Sequence, residues 1–141
     1  MYCLDASVIT NSIIKSEEHH EYSKRLLLKI KNQNIPVVLP EIIVPEVASA
    51  LSAGARNSKL PLQFVAELRK IPNFVFVPVD AEVSNLAARF AAEKHLRGAD
   101  AIYVAIASIF NVSLITLDKR QKEKAAGTVK TATPMEELKK L

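Results

Sequence analysis

The chain has 141 residues, 49% hydrophobic and 24% charged, with one cysteine and a formal net charge of +4. That length closes a full hydrophobic core unaided, so a single globular domain over 1–141 is expected, and Cys3 has no partner for a disulfide within the chain. The longest uncharged stretch, Ala101 to Leu117, includes Ser108, Asn111 and Ser113 and is shorter than the roughly 20 apolar residues of a membrane span. Asp5 interrupts the first segment and no basic lead precedes it, so no secretion signal is read, and a cytoplasmic protein without membrane contact is the expectation.

Tyr2 to Leu4 reads as a short buried strand, followed at once by a helix over Ala6 to Ile14. Ser16 has the character of a cap for a helix over Glu17 to Lys31, where Tyr22, Leu26, Leu27 and Ile30 recur at helical spacing. His19 and His20 lie among Glu17, Glu18 and Glu21, which places them on the exposed start of that helix; His95 is placed at the exposed end of another. Pro36 to Leu39 forms the second strand, and Pro40 and Pro45 bracket a turn into a helix that carries Glu46 in its first turn and stops at Gly54. Pro61 opens an amphipathic helix, Leu62 to Ile71, which the Pro72-Asn73 pair ends before the strand Phe74 to Val77.

Asp80 caps a helix from Ala81 to Leu96, a role that keeps it outside any site. After Arg97-Gly98 comes Ala99 to Phe110, a helix so apolar that it must be buried on most sides. The strand Ser113 to Thr116, a helix from Lys119 to Ala126, an edge strand around Val129 and a helix after Pro134 complete the chain. Strands separated by 10 to 15 residues of helix imply parallel pairing through crossovers, hence a three-layer α/β/α sandwich around a mainly parallel sheet of four to five strands.

Acidic side chains stand where they are least expected, at the ends of apolar runs: Asp5 in YCLDASVI, Glu46 in VVLPEIIVPEV, Asp100 in RGADAIYVAIA and Asp118 in SLITLDKR. The chain has only four aspartates, and charge in such surroundings requires pairing, hydrogen bonds or a bound cation. In open parallel sheets, ligands gather beyond the carboxyl ends of the strands, and all four acids fall at that edge in the expected architecture. Two carboxylates about 4 Å apart repel by roughly 4 kcal/mol at an effective dielectric near 20, so four together call for a cation. An all-oxygen set selects Mg²⁺ or Mn²⁺ over zinc.

Gly54, Gly98 and Gly127 are too far apart for a glycine-rich phosphate cradle, which disfavours a P-loop or dinucleotide fold. No histidine stands where it could serve a nucleophilic serine, so hydrolysis by activated water remains. With four acids committed to one place, the rest of the surface is more basic than the total charge suggests, as suits a polyanionic partner. Arg97 beside Asp100, and Lys119 and Arg120 beside Asp118, are candidate contacts to nucleic-acid phosphates.

LDASV near the start, a Glu opening a helix in the first third, RGADAIYVAIA and LITLDKR together resemble the motifs of PIN-domain nucleases. Size and motif order are most similar to the VapC toxins of prokaryotic toxin–antitoxin pairs, and the similarity spans almost the whole chain. The resemblance implies a PIN-like fold, Asp5, Glu46, Asp100 and Asp118 as metal-binding and catalytic acids, and Ser7 and Thr116 as supporting hydroxyls. It implies an endoribonuclease in which Mg²⁺ or Mn²⁺ activates water against structured RNA such as tRNA or rRNA, leaving a 5′-phosphate. A homodimer and a cognate antitoxin are implied as well. The alternatives are a housekeeping PIN-domain RNA-processing nuclease and a non-catalytic nucleic-acid-binding domain of the same fold. A phosphatase of the haloacid-dehalogenase type wants an aspartate two residues after Asp5, where this chain has Ser7.

Overall fold

The computed structural model describes residues 1–54 and 57–141. Its elements run β1 (Tyr2–Leu4), α1 (Ala6–Asn11), α2 (His20–Asn32), β2 (Val37–Pro40), α3 (Ile43–Ser52), α4 (Lys59–Arg69), β3 (Phe74–Val77), α5 (Ala81–Lys94), α6 (Gly98–Phe110), β4 (Ser113–Ile115), α7 (Lys119–Ala125), β5 (Thr131–Ala132) and α8 (Pro134–Leu138). The five strands form one sheet in the order β3-β2-β1-β4-β5, and every pairing is parallel. β1 lies in the middle, with Cys3 opposite Val38 of β2 on one side and Leu114 of β4 on the other. Strands covered on both faces need no polar alternation, and β1 and β2 accordingly read YCL and VVLP, buried throughout.

Alternation along β1 shows the two helical layers directly. The Tyr2 hydroxyl donates to Glu137 of α8 at 2.7 Å, while the next side chain, Cys3, packs its Sγ 3.8 Å from the Tyr103 carbonyl of α6. One layer holds α1 packed on α2 and α3, α3 on α4, and α8 on α2. The other holds α5 packed along α6, with α6 lying across β2, β1 and β4. Right-handed crossovers account for the division, because connections that run toward β3 and connections that run toward β5 leave their helices on opposite faces. The three-layer α/β/α sandwich with a parallel sheet is thus present, with five strands. Among the described residues no helix is long and apolar enough to cross a membrane.

Three local expectations are corrected. α2 opens at His20 rather than after Ser16, because the His20 ring turns inward and its Nδ1 lies 2.7 Å from the Asn11 carbonyl. That carbonyl ends α1 and lacks an intrahelical partner, so the imidazole satisfies it and is buried; His19 and His95 are exposed as expected. α4 opens at Lys59, two residues ahead of Pro61, which sits in the first turn where its missing N–H costs nothing. The edge strand forms at Thr131–Ala132 rather than at Val129, whose amide is already committed to the Ala125 carbonyl at the end of α7.

α6 is the internal pillar of the fold, with Ala101, Tyr103, Val104, Ala105, Ile106 and Ala107 buried. Truncating Ile106, fully buried, to alanine is expected to cost about 2–5 kcal/mol in urea unfolding, whereas Leu62→Ala on α4, where the side chain is 59% exposed, changes stability by less than about 0.5 kcal/mol.

Candidate active site

Asp5 is the first residue beyond β1. Its amide donates to the Ile115 carbonyl of β4 at 3.0 Å, and its carboxylate caps α1, Oδ2 accepting from the Ser7 amide at 3.2 Å. Because β1 is central, Asp5 is only 8% exposed. Burial pushes its pKa above the ordinary carboxylate value; hydrogen bonds from Ser7 oppose the shift, and the charges of Asp100 and Asp118 add to it. The Ser7 hydroxyl accepts from the Leu117 amide at 3.2 Å, which fastens the start of α1 to the exit of β4.

Asp118 is the matching cap on α7, its Oδ1 accepting from the amides of Arg120 at 2.9 Å and Gln121 at 3.1 Å. Thr116, fully buried between the two aspartates, accepts from the Asp118 amide at 3.0 Å. Its single proton faces two acceptors, Gln121 Oε1 at 2.7 Å and Asp5 Oδ2 at 3.4 Å, and the shorter bond takes it. Gln121 then donates from Nε2 to the Asp100 carbonyl at 3.3 Å, which fixes the amino end of α6 beside β4. Sequence reading passed over Gln121. Its signal was the spacing to Ala125, since positions four apart share a helix face and both are buried.

Glu46 stands in the first turn of α3, half-buried, and its Oε1 accepts from the Tyr103 hydroxyl at 2.5 Å. Tyr103 belongs to α6 in the opposite layer, so this bond reaches past the sheet edge to join the two layers. Burial raises the Glu46 pKa, the Tyr103 hydrogen bond lowers it, and the charges of Asp5 and Asp100 raise it. Tyr103 is itself held well above the ordinary phenol range by burial and by Glu46, so it remains a donor. It was read from sequence only as part of an apolar helix. Glu41, five positions before Glu46, is otherwise engaged: Arg69 grips it at 3.0 and 2.6 Å while lying over the Phe76 ring.

Asp100 occupies the first turn of α6, and here a cation is already in place. Arg97, the N-cap of α6, donates from Nε to Asp100 Oδ2 at 3.0 Å and from Nη2 to Asp118 Oδ2 at 2.9 Å. These bonds keep the guanidinium above its ordinary pKa. Lys119 and Arg120 lie exposed on the first turn of α7, and among the described residues neither forms an ion pair. Asp80 plays the part expected of it, capping α5 through the Val83 amide at 2.9 Å.

The four acids therefore share the carboxyl edge of the sheet and feel one another's charge, but each is held by its own partners. Among the described residues no three Asp, Glu, His or Cys side chains stand close enough together to hold one ion. The donor set still fits a divalent cation. All its atoms are carboxylate oxygens, suited to Mg²⁺ or Mn²⁺, and a cationic group of this chain bridges two of them. Asp5, Glu46, Asp100 and Asp118 are the residues that could hold such an ion.

Two raised carboxyl pKa values carry a pH signature. A carboxyl whose folded pKa exceeds its unfolded value costs stability when ionised, so without divalent ions the protein gains stability as pH falls from neutral through those folded values, until the unfolded values near about 4 are reached. Asp5→Asn keeps the cap acceptor and removes the charge; in chelator at neutral pH it is expected to raise Tm by about 2–6 °C and to flatten the pH dependence of calorimetric unfolding. Tyr103→Phe removes the donor that holds the Glu46 pKa down, so the Glu46 midpoint in a carboxyl-carbon NMR titration is expected to move to higher pH.

The fold recurs in solved structures of other proteins. FitAcB from Neisseria gonorrhoeae superposes with a TM-score of 0.71 at 23% identity, over 96% of this chain and 99% of that one. VapC20 from Mycobacterium tuberculosis, a sarcin-ricin-loop-cleaving toxin, gives 0.74 at 18% identity over 92% and 97%. A toxin–antitoxin complex from Klebsiella pneumoniae gives 0.67 at 18% identity over 95% and 98%. At these identities the likeness is one of fold. No curated protein sequence matches the chain. The sequence profile of the PIN domain matches residues 2–127, nearly the whole length, and the chain belongs to the PIN domain family, a family of nucleases.

Proposed function

We propose that the protein is a divalent-metal-dependent endoribonuclease, the toxin of a toxin–antitoxin pair, and that it acts on structured RNA such as tRNA or rRNA. The observation that carries this reading is the set of four carboxyl groups at the open edge of the sheet: Asp5 and Glu46 are disfavoured as anions by burial and by their acidic neighbours, so the site is built to gain from added positive charge. Membership in a nuclease family supports phosphodiester hydrolysis. The likeness to VapC20, which cleaves the sarcin-ricin loop, supports RNA as the substrate, and the likeness to a toxin–antitoxin complex supports a cognate antitoxin. Mg²⁺ or Mn²⁺ is the cofactor, the working form is a homodimer, and the compartment is the cytoplasm.

When bound, the divalent ion supplies Lewis acidity toward water and toward the phosphate oxygens. The chain's own residues do the rest. Asp5, Asp100 and Asp118 present their carboxylates from the starts of three helices, α1, α6 and α7, whose orientation the parallel sheet fixes. Thr116 and Gln121 hold Asp118 and the α6 backbone in one hydrogen-bonded unit, the Ser7 amide fixes Asp5, and Tyr103 holds Glu46. Arg97, Lys119 and Arg120 stand exposed beside the acids and offer positive charge to the phosphate backbone.

Incubated with total RNA, the purified protein is expected to release fragments bearing 5′-phosphates in Mg²⁺ or Mn²⁺ and none in chelator. Asp100→Asn is expected to lose at least about a hundredfold in rate, the scale of removing one element of electrostatic stabilisation. Cleavage that persists in chelator, or a fully active variant, would overturn the assignment.

A further inference from the structure

Arg97 bonds Asp100 and Asp118 through two adjacent nitrogens, Nε and Nη2, to one oxygen of each carboxylate. The two acids are largely shielded, with side chains 17% and 27% exposed, whereas the arginine side chain is 68% exposed and reaches them from the rim. Its backbone is fixed as the extended N-cap of α6, but its side chain makes no capping bond, so the guanidinium can leave without disturbing the helix. In this arrangement one positive charge stands against four acids, and Asp5 and Glu46 make no bond to it.

We infer that Arg97 is an exchangeable counter-ion: its guanidinium holds Asp100 and Asp118 in the metal-free protein, and a divalent cation displaces it onto the rim, where it becomes a phosphate contact. This inference rests on the reading of the acids as a metal site. The physical basis is competition for the same negative charge. A divalent cation held by these acids would supply the positive charge that the guanidinium supplies, and would repel the guanidinium at short range, so the two bonds from Arg97 weaken as the cation enters. Freed, a guanidinium matches the geometry of a phosphodiester oxygen pair better than any other side chain. Cation entry and phosphate binding are thereby coupled, and without the cation the protein presents a weaker surface to RNA.

The test is isothermal titration of Mn²⁺, without RNA, into the wild type, Arg97→Ala, Arg97→Lys and Arg89→Ala. Arg89 lies on α5 and pairs loosely with Glu93, so its removal controls for net charge. Arg97→Ala is expected to bind Mn²⁺ roughly fivefold more tightly, the scale of one solvent-screened ion pair. Arg97→Lys keeps the charge but cannot bridge, and should fall between; Arg89→Ala should match the wild type. At saturating Mn²⁺, binding of a short RNA should weaken in Arg97→Ala, the opposite direction, which a merely structural role for the arginine does not produce. Unchanged or weaker Mn²⁺ binding by Arg97→Ala, with the wild type binding normally, overturns the inference alone. Should Arg97→Ala fail to fold, Arg97→Lys decides by the same criterion. No Mn²⁺ binding by the wild type removes the metal-site reading and the inference together.

Discussion

Like charges at the open end of a parallel sheet are the constraint around which this molecule is organised. The sheet needs β1 at its centre, and the residue that follows β1 is an aspartate with almost no access to water. Ionising it there works against burial and against the fields of Asp100 and Asp118. The surrounding structure answers with donors: the Ser7 amide for Asp5, two α7 amides for Asp118, a tyrosine hydroxyl for Glu46 and a guanidinium shared by Asp100 and Asp118. All but the guanidinium come from backbone or side chains that the fold fixes in advance, so most of the compensation is part of the architecture. It leaves a deficit of positive charge all the same, and that deficit is what a nuclease of this family would use.

The same interactions serve stability and site geometry at once. Thr116 and Gln121 are buried polar residues, and a buried polar group is tolerated only if its hydrogen bonds are made. Here their partners are each other, the Asp118 amide and the Asp100 carbonyl, so satisfying the interior and aligning the edge are a single requirement. Tyr103 does likewise between the two helical layers. Positioning by such groups is more exact than positioning by surface loops, because each is gripped by packing on every side.

Much of the fold was legible in the residues because β1, β2 and β3 are apolar runs of a few residues that stop at Asp5, Pro40 and Pro78. The sequence spans for β3, α6 and α7 fell within a residue of those in the structure. What escaped depended on tertiary partners. Ser16 has the chemistry of a cap, yet the start of α2 is set by His20 reaching a carbonyl nine residues back. β5 has two residues and too little periodicity to read, and its place follows from where α7 releases the chain. At the site, the candidate acids could be picked out one at a time by their misfit with apolar neighbours. Tyr103 and the bridge made by Arg97 could not, since each acts through a group on another element and becomes visible only once α6 is docked beside β4; Gln121 showed only as a buried helix position.

Ser7 and Leu117 are 110 residues apart in sequence and bonded in space, a separation that follows from strand order, because the first strand is completed by the fourth. During synthesis the amino-terminal third can collapse early, but the edge stays half-made until the segment beyond Ser113 emerges and inserts alongside β1. A chain whose segment beyond Ser113 has not yet emerged therefore lacks Asp118 at its place and with it the assembled acid cluster. Parallel topology of this kind delays maturity: the acidic edge is complete only once the fourth strand and the residues that follow it have joined the first.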